Sequence, residues 1–230
     1  MKNKQQLICV VALAAEARTL IDAFKLKRHH SIHSHRCYSN PEKTIHLIES
    51  GMGKMNAAIA TTFAFQLAGG PKNASFLNIG IAGGDYPLGE AFEVHKITDA
   101  ETQHVHYPHR QHPIASVELV TVNKVALDYL PGCLYDMEAF GFYMAATRFT
   151  TIEQVSVLKI VSDNPKHSHE KITASYCQMI IENQQELITT VAKKLLQQSS
   201  LENELQEIPY YQDIISAAHF SHYQKQEIKE

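Results

Sequence analysis

The sequence lacks the features that divide a chain into separate units or mark a polymer-binding protein. It has no Ser/Gly-rich linker, no block of like charge and no internal repeat, so no domain boundary is marked within its 230 residues. A chain of this length forms one large domain or two small ones and is ample for a substantial core. The formal net charge is only −3. It offers no basic surface for a nucleic acid backbone, so we predict no nucleic acid partner.

Cysteine is scarce, and no apolar stretch is long. Four cysteines are scattered along the chain without a CxxC pair: Cys9, Cys37, Cys133 and Cys177. This pattern indicates reduced structural thiols rather than disulfides. The beginning, MKNKQQLICVVALAAEA, has a basic head before an apolar run, as a signal peptide does, but Glu16 and Arg18 interrupt the run early. We therefore interpret it as the first buried strand of a cytoplasmic protein without a membrane partner.

Segments with strand-like and helix-like patterns alternate along the chain, which is typical of an α/β fold. Four apolar runs are predicted strands, at 7–13, 44–49, 75–81 and 155–161. Residues 25–44 are polar and predict an exposed hairpin. Glycine turns are predicted after two of the strands, at 50–54 and at 82–84, where backbone N–H groups can face an anion at a helix start.

Three acidic residues stand where these elements meet. Glu138 falls in the first turn of a helix predicted after the short run 133–135. Glu16 opens a helix after the first strand, and Asp163 follows the strand that starts at Val155. Because ligands of open α/β sheets bind beyond the carboxyl ends of strands, we expect a binding edge there. Each residue also has a plain structural interpretation, Glu138 and Glu16 as carboxylates that suit a helix start and Asp163 as a turn or cap residue.

Five motifs together resemble the nucleoside phosphorylase and nucleosidase superfamily, most of all its 5′-methylthioadenosine/S-adenosylhomocysteine nucleosidase branch. They are ALAAEARTL at 12–20, ESGMGKMNAAIATT at 49–62, LNIGIAGG at 77–84, DMEAFG at 136–141 and KIVSDN at 159–164. They stand in the family's order and cover most of residues 7–198. The resemblance implies a three-layer α/β/α fold with a central twisted mixed sheet over residues 1–198. It leaves residues 199–230 as a C-terminal extension, predicted to be an amphipathic helix or a disordered tail.

The resemblance also implies an activity, hydrolysis of the N-glycosidic bond of a purine nucleoside in methionine salvage, without metal or organic cofactor. It implies that Glu16 is the base that activates water and that Asp163, with Ser162 beside it, is the acid at purine N7. Met137 and Glu138 match the pair that holds the ribose. The further substrate contacts implied are Gly53, Ala82 and Gly83.

Three departures from the family pattern bear on the activity. Ile81 replaces a small or hydroxyl residue, and no arginine stands in the glycine loops, which favours water over phosphate as the nucleophile. The stretch 99–133 is shorter than the family's purine-binding segment. The alternatives are therefore a nucleoside phosphorylase and a nucleoside-binding or regulatory protein that has lost turnover.

Two further features have alternative interpretations. The stretch HVHYPHRQHP carries His104, His106, His109 and His112, either as metal ligands or, as we prefer, as an exposed loop that shields the pocket or meets a partner. The helices predicted from GMGKMNAAIATTFAFQL and MEAFGFYMAATRF have more apolar positions than one buried stripe needs. We therefore predict a homodimer whose partner supplies part of the pocket wall, against the alternative that both helices are central in a thick core.

Overall fold

A computed structural model of the chain describes residues 5–30, 32 and 34–204, in which ten strands and five α-helices are found. The strands are β1 (Gln6–Val11), β2 (Lys27–Arg28), β3 (Arg36–Ser39), β4 (Ile45–Glu49), β5 (Ala74–Gly84), β6 (Ala91–Asp99), β7 (Val105–His106), β8 (Ser116–Thr121), β9 (Cys133–Asp136) and β10 (Val155–Asp163). The helices are α1 (Ala14–Ala23), α2 (Lys54–Leu67), α3 (Ala139–Ala146), α4 (Ala174–Glu182) and α5 (Gln185–Glu204), with short 3-10 helices at Ile152–Gln154 and His169–Lys171.

The strands form one mixed sheet. β1 pairs in parallel with β4 and β5, and β5 pairs in parallel with β10. The pairs β3–β4, β6–β10 and β9–β5 are antiparallel. The order β10, β6, β8, β9, β5 returns to β10, so these five strands close on one another. The closure is possible because β5 is long: its first half pairs with β1, and Gly83 and Gly84 at its end pair with Tyr135 and Leu134 of β9.

Helices cover both faces of this sheet. Along β1, Ile8 and Val10 point into a core shared with α2 and α3. The alternate residues Leu7, Cys9 and Val11 point into a second core shared with α1, α4 and α5. This period-two alternation of apolar residues on a strand buried on both sides produces three layers. The predicted α/β/α fold with a central mixed sheet is confirmed.

The local predictions were mostly right, with one clear error. The β2–β3 pair is the predicted hairpin, and β1, β4 and β10 lie where apolar runs predicted strands. The turn predicted at 82–84 is wrong, because these residues are the end of β5. A Cβ on Gly84 would lie 2.5 Å from a side-chain carbon of Leu134 and 3.0 Å from the Cys133 carbonyl oxygen. The glycine therefore serves a close strand contact rather than a turn.

The C-terminal prediction falls mainly outside the described residues. Of the extension predicted at 199–230, only 199–204 are described, and there α5 continues. Across the described chain, every helix is too short or too polar to cross a lipid bilayer.

We predict that Gly141→Ala will destabilise the protein by about 1–3 kcal/mol, through overpacking. Gly141 lies inside α3, and a Cβ there would come within 1.8 Å of the Lys54 carbonyl oxygen in α2. In a helix without this contact the same change would stabilise by about 1 kcal/mol, so the sign of the effect is informative. Urea unfolding of both proteins measures it. Met144→Ala, on the same helix but 42% exposed, is the matched control and should cost much less; a stabilised Gly141→Ala would contradict the packing of α2 on α3.

Candidate functional site

A cleft of about 250 Å³ opens where the carboxyl ends of β1, β5, β8, β9 and β10 meet the starts of α1 and α3. Its lining consists of Ala12, Leu13, Glu16, Met52, Ile81, Ala82, Gly83, Val122, Val125, Ala126, Tyr129, Tyr135, Asp136, Met137, Glu138, Ser162, Asp163, His169 and Ile172. Seven of the eight residues predicted for the site line this cleft. The eighth, Gly53, donates a hydrogen bond to one of them. The predicted sheet edge therefore brings the candidate residues together.

Glu16 stands in the first turn of α1 but its carboxylate is turned inward, and the residue is only 2% exposed. Its Oε2 accepts hydrogen bonds from the backbone N–H groups of Ala12 at 2.8 Å and Leu13 at 2.9 Å. Its Oε1 accepts one from Ile81 at 2.9 Å. Glu16 thus joins the end of β1 to β5. Burial raises the pKa of Glu16, and the three N–H groups offset this rise only in part.

Lys159, in the middle of β10, lies below the cleft and contacts one of its lining residues, Asp136. It is 1% exposed, and its Nζ lies 2.8 Å from Oδ2 of Asp136. Asp136 also accepts hydrogen bonds from Thr121 Oγ1 at 2.7 Å and from the Ala139 N–H at 2.8 Å. Burial disfavours the ammonium, but the negative charges of Asp136 and Glu138 outweigh that effect and raise the pKa of Lys159. The pair fixes β9 to β10 below the cleft.

Glu138 is the residue that precedes α3, one position earlier than the predicted first turn. Its Oε1 accepts the Gly53 N–H at 2.8 Å rather than capping its own helix. Gly53 has a φ of 104°, which a residue with a side chain rarely adopts, so the turn before α2 depends on this glycine. Burial raises the pKa of Glu138, and the neighbouring charge of Asp136 raises it further.

The buried charges near the cleft floor do not balance when every group is ionised. Three buried carboxyl groups, Glu16, Asp136 and Glu138, face the buried ammonium of Lys159. Unpaired charge away from water is costly, so the arrangement favours a proton on one of the carboxyl groups. For Glu138, the negative charges of Asp136 and Glu16 add to burial in raising the pKa, whereas for Glu16 burial is the cause of the rise.

Asp163 ends β10 and is 4% exposed. The strand changes register between Val161 and Asp163, which carries the carboxylate toward the cleft. Its Oδ1 accepts the Ser162 hydroxyl at 2.5 Å, and its Oδ2 accepts the Tyr129 hydroxyl. Burial raises the pKa of Tyr129, and the bond to Asp163 raises it further. A Cβ on Gly83 would lie 2.7 Å from the same Oδ2, so only glycine leaves room for this contact.

The histidine-rich stretch does not form one site. His104 and His109 are exposed, while His106 is half-buried with its ring 5.1 Å from that of Phe140. His112 is buried, with Nε2 3.8 Å from Glu93 Oε1, and burial lowers the pKa of His112 to about 4. In the described part of the chain no three His, Cys, Asp or Glu side chains are grouped to hold a metal ion.

Two residues that line the cleft, Asp136 and Tyr129, and one below it, Lys159, were not singled out by sequence reasoning. Lys159 lies inside an apolar strand run, and a lysine there was itself the available signal, because buried ammonium groups need anionic partners. Asp136 stood in the DMEAFG motif but received no role. Tyr129 lies in an irregular segment whose sequence has no periodicity to place it.

No protein-family profile and no curated protein sequence matches the chain, but solved structures do. The Arabidopsis thaliana 5′-methylthioadenosine nucleosidase superposes with a TM-score of 0.67 at 18% identity, over 84% of this chain and 97% of the other. The Campylobacter jejuni 5′-methylthioadenosine/S-adenosylhomocysteine nucleosidase gives 0.68 at 12% identity, over 83% and 99%. A mutant of the Helicobacter pylori futalosine hydrolase gives 0.64 at 12% identity, over 83% and 99%. The chain therefore has the nucleosidase fold that the motifs predicted.

We predict that Glu16 and Glu138 each contribute a fall in the free energy of unfolding as the pH rises above about 4.5, the ordinary value for glutamate. Because the pKa values of Glu16 and Glu138 are raised in the folded protein, the folded state binds more protons than the unfolded chain between the ordinary and the raised values. For each unit by which the pKa in the folded protein exceeds the ordinary value, the free energy of unfolding is lower by about 1.4 kcal/mol once the pH exceeds the raised pKa.

Urea unfolding at several pH values tests this dependence. Glu16→Gln and Glu138→Gln should each flatten it, whereas the exposed control Glu182→Gln should leave it as in the unaltered protein. An unaltered slope in both cleft variants would show that neither carboxyl group takes up the extra proton.

Proposed function

We propose that this protein hydrolyses the N-glycosidic bond of a purine nucleoside, with 5′-modified nucleosides such as 5′-methylthioadenosine as the first candidates. One observation carries the proposal: the carboxyl groups of Glu16, Glu138 and Asp163 line a single cleft at the carboxyl edge of the sheet. The solved structures of similar fold include nucleosidases named for methylthioadenosine and a futalosine hydrolase. In this role the protein would act in the cytoplasm, in methionine salvage.

The chemistry of the reaction explains the choice of residues. Cleavage of the bond builds positive charge on the sugar while the base leaves with the bonding electron pair. In the proposal Glu138 accepts hydrogen bonds from the ribose hydroxyls, and Met137 packs against the sugar. Glu16 takes a proton from the attacking water, and Asp163 delivers a proton to N7 of the leaving base. Burial supports the role of Glu16, because a carboxylate with a raised pKa is the stronger base.

Water is the nucleophile in this proposal, and the charge of the cleft supports that choice. A phosphate dianion would enter beside three acidic side chains, Glu16, Asp136 and Glu138, and like charges so close repel. Phosphorylases need positive groups that bind the anion in a forked geometry. Lys159 is the buried cation below the cleft, and it is already paired with Asp136.

A second candidate is a nucleoside-binding protein that has lost turnover. It is favoured by one observation: both oxygens of Asp163 already accept hydroxyl hydrogen bonds, from Ser162 and Tyr129. An acid held in this way must first exchange a partner before it can protonate a base. A melting-temperature rise with adenine, together with no released base, would select this candidate.

We predict that Glu16→Gln and Asp163→Asn each lower base release by about a hundredfold or more, which is the usual scale of general base and general acid effects. The measurement is chromatography of free base across a panel of purine nucleosides. Glu182→Gln, an exposed change of the same kind, is the control and should keep full activity. If either cleft variant releases base at the full rate, the substituted residue has no role in the proposed mechanism.

The same assay with and without phosphate separates hydrolysis from phosphorolysis. Free ribose or its 5′-modified form is the expected product in both conditions. Formation of a sugar 1-phosphate would show that the protein is a phosphorylase and would contradict the proposed hydrolysis.

We also propose that the protein is a homodimer in which the outer face of α2 packs on a second copy. Two large apolar side chains of α2 are exposed, Met55 at 74% and Ile59 at 55%, together with Met52 of the preceding turn at 62% and Met144 of α3 at 42%. Neighbouring apolar side chains this exposed are uncommon on a monomer and are typical of an interface. Met52 also lines the cleft, so a partner on this face would complete its wall.

We predict that sedimentation at micromolar concentration gives a species of twice the chain mass, with an interface on the order of 1,600 Å². The double variant Met55→Glu, Ile59→Glu should sediment as one chain, because it places charge in the centre of the interface. Glutamate at the exposed Met179 of α4 is the control and should leave the dimer intact. A single-chain species that releases base at the full rate would contradict both the dimer and the shared cleft.

A further inference from the structure

Tyr129 reaches into the cleft from the segment 123–132, which joins β8 to β9. Its hydroxyl donates to Oδ2 of Asp163, while Ser162 donates to the other oxygen of the same carboxylate. The backbone of β5 also approaches this hydroxyl closely, because a Cβ on Gly83 would lie 2.7 Å from it. Three elements thus meet around one hydrogen bond at the Asp163 end of the cleft.

The segment is attached at its start, where the side-chain amide of Asn123 donates a hydrogen bond to Glu101, and only weakly on either side of Tyr129. Leu127 is 75% exposed and Leu130 is 65% exposed, so the apolar side chains beside Tyr129 are not packed into either core. The Leu130 N–H donates a long hydrogen bond of 3.3 Å to the Tyr135 hydroxyl, and the rings of Tyr129 and Tyr135 lie 5.7 Å apart. A hydrogen bond to a carboxylate is stronger than either contact. Beyond Asn123, the Tyr129–Asp163 bond is therefore the main attachment of the segment, and it is the one that holds the segment in the cleft.

The position of Tyr129 limits the space for a ligand. The cleft of about 250 Å³ is smaller than the roughly 300–1,000 Å³ of most small-molecule sites. Tyr129 fills the end beside Asp163 with a planar ring that donates one hydrogen bond to the carboxylate. A free purine base, which carries an N–H group on its imidazole ring, presents the same combination of a flat aromatic ring and a donor.

We propose that Tyr129 occupies the base end of the cleft in the free protein and that an incoming base must displace it from Asp163. The inference rests on the proposed function only in naming the displacing group as a purine. In this arrangement the segment 123–132 swings outward when the base takes over the hydrogen bond to Asp163. Tyr129 consequently lowers the affinity for the base, and its removal shifts the protein toward the open form without a ligand.

The first test needs no ligand. Amide hydrogen exchange of residues 123–132 measures the opening of the segment. Tyr129→Phe removes the bond to Asp163 and keeps the ring, and we expect the exchange to rise on the order of tenfold. Tyr107→Phe, a change at a 66% exposed tyrosine, is the matched control and should leave the exchange unchanged. An unchanged segment in the Tyr129→Phe protein would overturn the proposal.

The second test measures adenine binding by calorimetry. Adenine should bind Tyr129→Phe on the order of tenfold more tightly than the unaltered protein, because it no longer competes with the hydroxyl. Adenine should also increase the amide hydrogen exchange of residues 123–132 in the unaltered protein. Weaker binding to Tyr129→Phe would instead make Tyr129 a donor to the base and overturn the displacement. If no nucleoside releases base, the proposed hydrolysis fails, while the ligand-free comparison still decides the role of Tyr129.

Discussion

The buried ion pair of Lys159 and Asp136 is the interaction on which the site depends. It joins two strands that are not neighbours in the sheet, at a point where both side chains are almost fully removed from water. A lone charge in that position would be strongly unfavourable, so each partner requires the other. Asp136 in turn positions two further elements, because it accepts hydrogen bonds from Thr121 at the end of β8 and from Ala139 at the start of α3. Glu138 stands at that start, and its position follows from the pair below it.

Close approach of backbone to side chain is the second constraint, and glycines in β5 permit it. A Cβ on Gly80 would lie 2.9 Å from Glu16 Oε1 and 3.5 Å from Lys159 Nζ. A Cβ on Gly83 would meet Asp163 and Tyr129 at 2.7 Å. Both glycines stand on a strand that crosses the whole site, so one strand leaves space for the carboxyl groups at both ends of the cleft. Glycine weakens a strand interior, and here that cost accompanies a functional site.

Much of this arrangement could be predicted from the sequence, because it follows from local patterns. Glu16 and Asp163 were placed at the sheet edge by the alternation of strands and helices, and parallel strands bring their carboxyl ends together whatever the details of packing. The structure puts both in the cleft. Their chemical roles, and those of Met137 and Glu138, are still predictions, because geometry alone does not assign a proton transfer.

The remainder depends on contacts between distant residues, which no local pattern encodes. The turn predicted at 82–84 was wrong because β9, which comes much later in the chain, pairs with Gly83 and Gly84 and extends the strand. Tyr129 was missed because an irregular segment has no period from which its direction could be inferred. His112 was treated with the exposed histidines of its stretch, yet it is buried beside Glu93, a residue nineteen positions earlier.

The charge of the cleft links its stability to its proposed chemistry. Three buried carboxyl groups stand opposite the ammonium of Lys159, and this excess favours a retained proton. Burial raises the pKa values of Glu16 and Glu138, and the charge of Asp136 raises that of Glu138 further. When a glycosidic bond breaks, the sugar becomes positively charged and supplies a cation beside these carboxyl groups. The same excess of acidic groups that costs folding free energy would then stabilise the transition state more than the neutral substrate. The hydroxyl of Tyr129 meets the same acidic surface at Asp163, where it donates the hydrogen bond that a leaving base would have to replace.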